Sequence, residues 1–117
     1  MALIKVTEEF QAWFDSLSGR ERREVNRVIN LLESLGVALA YPHSSALEGA
    51  RYSLRELRPK RGDSPLRVIY AFDPLREVLL LLGGDKSNDK RFYERIIPKA
   101  ERIWGKHLKD LEEDDDP

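Results

Sequence analysis

Residues 54–86, LRELRPKRGDSPLRVIYAFDPLREVLLLLGGDK, constrain what this chain can fold into more than any other stretch. Apolar and charged positions alternate through it with the period of half-buried strands, interrupted by a Lys-Arg-Gly-Asp segment at 60–63 and by a Pro-Leu-Arg segment at 74–76. Strands are expected at 52–58, 66–73 and 77–83, and connections this short favour an antiparallel meander. In the second of them Arg67, Ile69, Ala71 and Asp73 share one face, while Val68, Tyr70 and Phe72 share the other. Residues 78–82 are apolar on both faces, so the last strand is expected to be central. Such a sheet carries arginines out of its strands and a lysine, Lys86, at its exit, a surface suited to phosphate.

The flanking segments supply what must cover that sheet. Residues 2–6 read as a short first strand. Thr7 can cap a helix whose first turn carries Glu8 and Glu9, with Phe10, Trp13, Phe14 and Leu17 on one face. Ser18 and Glu21 have capping-box spacing, and Val25, Val28, Ile29, Leu32 and Leu35 follow at helical intervals up to Gly36. A helical hairpin joined at Ser18 and Gly19 results. Residues 37–50 lack periodicity and read as a loop suited to binding a partner. After Gly83 and Gly84, taken as a strand-to-helix turn, a last helix is expected from near Ser87 or Asn88 through Leu108, with Pro98 placed to kink it.

Composition then narrows the function. A chain of 117 residues, 41% of them hydrophobic, fills one core and one domain. It has no cysteine, which removes disulfides, thiolate nucleophiles and cysteine-ligated zinc. No signal-like N-terminus is evident and the longest apolar run, 78–82, is far too short for a membrane, so a cytoplasmic protein without membrane contact is expected. His43 and His107 lack metal-ligand spacing, and there is neither a phosphate-binding glycine loop nor a nucleophile elbow; no metal or cofactor is expected. The net charge of −1 conceals an asymmetry. Five of the 21 acidic residues fall at 112–116, leaving 20 basic and 16 acidic groups in residues 1–111. A basic domain at 1–111 is therefore followed by an acidic tail at 112–117 without fixed structure. Six basic residues lie between Arg51 and Arg67 against only Glu56 and Asp63, and this local excess suits a polyanion, or simply a solvated face.

The order of strand, helical hairpin, three antiparallel strands and C-terminal helix, with LRELRP, LRVIYAFDP, LLLLGGDKS and FYERIIPKAERI in sequence, resembles the RelE/ParE superfamily of type II toxin-antitoxin toxins, and within it the phage-derived HigB-like branch. The resemblance covers nearly all of residues 1–111. It implies an α+β, RelE-like fold: an N-terminal strand and helical hairpin packed on a small, mainly antiparallel sheet, with a C-terminal helix. It also implies a cognate antitoxin that covers the basic groove or displaces the last helix. Ribosome-dependent, metal-independent endoribonuclease cleavage of mRNA is the expected activity. The alternatives are ParE-like gyrase inhibition and a toxin fold that only binds.

To cut RNA without metal, a protein must help a ribose 2′-hydroxyl attack the adjacent phosphate, stabilise the added negative charge and protonate the leaving oxygen. Arg58 and Arg67 are candidates to clamp the phosphate, because guanidinium offers a planar donor fork. A lysine crowded by cations sheds its proton more readily, which makes Lys86 a candidate acid or base, or a passive phosphate contact. Tyr93 can stack on a base, assist proton transfer, or serve only as a core aromatic. Arg55, Lys60, Arg61, Lys90 and Arg91 are candidate RNA-backbone contacts. The structural alternatives are ion pairs of Arg55 with Glu94 or Glu101, and of Arg67 with Glu56.

Overall fold

The structure, a computed structural model, describes residues 2–59 and 64–114. Strand β1 (Ile4–Val6) leads into α1 (Glu8–Ser16), where Thr7 accepts a hydrogen bond from the Phe10 amide as expected of a cap. The Ser18–Glu21 capping box forms in both directions and opens α2 (Gly19–Leu35), satisfying two backbone donors that a helix start leaves orphaned. A 3₁₀ turn (Gly36–Ala38) follows, then β2 (Ser44–Ala46), β3 (Arg55–Leu57), β4 (Leu66–Phe72), β5 (Val78–Asp85) and α3 (Phe92–Asp114).

The five strands form one mixed sheet in the order β1-β5-β4-β3-β2, with only the β1–β5 pair parallel. Strand β5 is interior, as its apolar run requires. The α1–α2 hairpin covers one face, where Phe10, Val25, Val28 and Leu32 pack against Leu57, Val68, Tyr70 and Leu80. Helix α3 covers the other, where Phe92, Ile96, Ala100 and Trp104 pack against Ile69, Ala71, Leu79 and Leu81. The alternation read in β4 therefore sorts its residues between two separate cores. Complete burial of such side chains stabilises by about 1.5–3 kcal/mol each.

Four expectations change. The loop at 37–50 contains β2, an edge strand paired antiparallel with β3. Gly83 and Gly84 lie inside β5, not in a turn after it. A Cβ on Gly83 would run into the ring of Trp13, and one on Gly84 would come within 2.7 Å of Phe92, so the two glycines let aromatic rings from opposite layers seat on the strand. Helix α3 starts later than Ser87 because Asn88 takes a left-handed conformation and Asp89 accepts the Arg91 amide. At its other end α3 runs through Asp114, into the acidic segment; residues 115–117 and the turn at 60–63 lie outside the described residues.

Candidate functional site

Where β3 and β5 end and β4 begins, beside the first turn of α3, four candidates gather at the Glu56–Tyr93 pair. Glu56 and Arg67 each retain only 4% of their exposure. Burying such groups demands partners. Glu56 accepts hydrogen bonds from Arg58 Nη2 at 2.8 Å and from the Tyr93 hydroxyl at 2.7 Å. Arg67 spends Nη1 on the carbonyls of Ser64 and Leu66, at 2.6 and 2.8 Å, while its buried Nε has no partner among the described residues. Lys86 closes the row with its Nζ 5.8 Å from the centre of the Tyr93 ring, a cation–π arrangement. A cleft of about 400 Å³ lined by Lys86, Asn88, Asp89, Lys90 and Tyr93 opens beside it.

The Tyr93 phenol is held above its ordinary pKa, first by burial and then by the hydrogen bond and charge of Glu56, with the nearby Arg67 charge acting in the opposite direction. It therefore remains a proton donor at neutral pH. The cluster combines two guanidinium groups, an ammonium group, a protonated phenol and a carboxylate that can accept a proton. Among the described residues no three side chains come together as a metal site.

The other candidates separate. Arg55 is on the opposite face, where its Nε donates to Ser44 Oγ at 3.2 Å and to the Tyr70 hydroxyl at 3.3 Å; these two oxygens are themselves 2.5 Å apart. Of the two carboxylates considered as its partners, Glu94 and Glu101, the second accepts the Arg51 amide instead. Alternation explains this, because Arg55 and Glu56 are neighbours on one strand and must point to opposite faces. Lys90 and Arg91 are exposed on the turn before α3, with Lys90 on the cleft. Lys60 and Arg61 lie outside the described residues. The expected Arg67–Glu56 ion pair is replaced by Arg58–Glu56. Glu56 is the member that sequence reasoning passed over, although a lone carboxylate within the basic 51–61 stretch was the available signal. A larger hollow of about 600 Å³ between the start of α1 and α3 shares no residue with this cluster.

Residues 12–104 match the family described as phage derived protein Gp49-like. The chain belongs to that family. This Gp49-like chain is 36% identical over 104 residues to a Mycobacterium tuberculosis protein named "Putative toxin HigB3", covering 87% of the chain and 89% of the relative. It is 32% identical over 109 residues to "Putative toxin HigB2" of the same organism, covering 91% of the chain but 54% of that longer relative. In three dimensions the Gp49-like chain resembles the archaeal RelE–RelB complex from Pyrococcus horikoshii with a TM-score of 0.57 at 19% identity, over 74% of this chain and 96% of the other, a likeness of fold. Family and relatives make it a HigB-like member of the Gp49-like family, and its fold is RelE-like.

Proposed function

We propose that this protein is the toxin of a type II toxin-antitoxin pair and acts in the cytoplasm as a ribosome-dependent, metal-independent mRNA endoribonuclease. The observation that carries the reading is the cluster built on the Glu56–Tyr93 pair at one end of the sheet, with Arg58 on Glu56 and Lys86 and Arg67 beside Tyr93. In this reading a scissile phosphate takes over the Arg58 donors now given to Glu56 and the idle Nε of Arg67, and Lys86 adds charge as the pentacoordinate state forms. The ribose 2′-oxygen attacks phosphorus and its proton passes to the released Glu56 carboxylate. Tyr93, turned from Glu56 toward substrate, gives its proton to the departing 5′-oxygen. The products are a 2′,3′-cyclic phosphate and a 5′-hydroxyl, and Glu56 returns its proton to Tyr93. The partner expected to silence this site is an antitoxin, as the RelE–RelB assembly suggests. No described helix is long and apolar enough to cross a membrane.

The test is a map of RNA 5′ ends after brief induced expression in bacteria, comparing the wild type with Lys86→Ala and with Arg67→Lys, which keeps the buried charge. New ends inside translated messages, reduced at least tenfold in both variants, are expected. Growth arrest without new ends would overturn the nuclease and point to gyrase; absence of both effects would leave a binding module.

A further inference from the structure

We infer that Tyr41 is a nucleobase-stacking residue at the Arg58 end of this cluster, holding an unpaired RNA base next to the scissile phosphate. The inference rests on the nuclease reading and extends it to a residue outside the cluster. Tyr41 is 80% exposed, more than any other exposed large hydrophobic residue among those described. No packing role accounts for such a side chain. Its ring lies under the Arg58 guanidinium, with Cζ 5.7 Å from the ring centre, and among the described residues it pairs with no other aromatic or charged group. The rest of the ring faces water.

Its position is built. The amides of His43 and Ser44 both donate to the Ala40 carbonyl at 3.1 Å, which closes a tight turn with Tyr41 at its tip. Arg58 stitches that turn to the end of β3: its amide donates to the His43 carbonyl at 2.8 Å and its Nη1 to the Pro42 carbonyl at 3.4 Å. The same guanidinium reaches Glu56, which reaches Tyr93, which lies beneath Lys86. One continuous row therefore begins and ends on a tyrosine ring paired with a cation. A phosphate bound at Arg58 would place its neighbouring base against the open face of Tyr41, while the guanidinium keeps the other face occupied and the ring in place. Stacking of this kind is tolerant of base identity, because every base has a flat π face.

The experiment uses ribosomes programmed in a purified translation system with a message in which one nucleotide at a time near the cleavage site is abasic. Wild type, Tyr41→Phe and Tyr41→Ala are compared. Wild type is expected to slow when one particular base is missing, Tyr41→Phe to match it, and Tyr41→Ala to cleave the intact message roughly ten- to hundredfold more slowly and to become indifferent to that missing base. The base-dependence distinguishes contact from a merely structural effect. Tyr41→Ala cleaving at the wild-type rate with the same abasic sensitivity would overturn the inference and leave the nuclease standing. So would unchanged cleavage with weakened neutralisation by the antitoxin, which would make the ring a protein contact. A wild type that cleaves nothing would overturn the nuclease reading and this one with it.

Discussion

At the scale of single residues, Glu56 does the most with the least surface. Its two oxygens hold Arg58 and Tyr93, and so they fix the guanidinium group and the phenol where β3 meets α3. Glu56→Gln removes the charge but keeps the size, and should cost about 1–3 kcal/mol in denaturant unfolding because buried donors lose a charged acceptor. The Tyr93 titration is a sharper readout. A folded-state pKa raised above the unfolded value of about 10 means that the fold favours the protonated phenol. That contribution to stability is complete below the unfolded pKa and disappears as pH rises through the folded one. Alkaline absorbance titration, with Tyr93→Phe identifying the component, should show Tyr93 ionising late in the wild type and earlier in Glu56→Gln. An unchanged titration would mean that burial alone raises it.

At the scale of elements, the helical hairpin was fully legible, because caps and spacing are local codes: Thr7, Ser18 and Glu21 do what their positions ask. Strand β2 was not legible. Ser44, Ser45 and Ala46 have little strand propensity, and they become a strand only because the β3 edge offers a ladder to complete. Strand β5 shows the reverse situation, in which two glycines that read as a turn remain strand because β4 pairs across them and rings cover them. Gly83→Ala should therefore destabilise by about 1–3 kcal/mol through overpacking, measured by thermal or chemical unfolding, with a smaller loss for Gly84→Ala, whose new Cβ meets the edge of Phe92 and the tip of Ile96 at longer distances. Combining Gly83→Ala with Trp13→Leu should cost less than the sum of the two single changes, since both act on one contact. Simple additivity would show that Trp13 does not seat on that glycine.

At the scale of the whole molecule, the sheet separates two cores and the site spans the joint between the sheet and only one of them. Helix α3 contributes Tyr93, while the sheet and its exit contribute Glu56, Arg58, Arg67 and Lys86. Trp104, buried at 5% exposure, anchors α3 far from the chemistry. Trp104→Ala should cost about 3–5 kcal/mol, with hydrogen exchange rising in α3 before α1 and α2, and under the proposed nuclease function it should also abolish RNA cleavage. Equal exchange throughout would indicate one cooperative core instead. The sequence by itself determined the types of every element but β2 and the end of β5, the two-sided pattern of β4, the basic character of 51–67 and the resemblance that fixed the fold, because these are written in residues near one another along the chain. Only the tertiary structure decided that Arg55 faces away, that Glu56 joins Arg58 to Tyr93, and that Tyr41 stands beside Arg58. Those relations join residues up to 37 positions apart. They depend on register across strands and on how α3 lies over the sheet, which no local periodicity encodes.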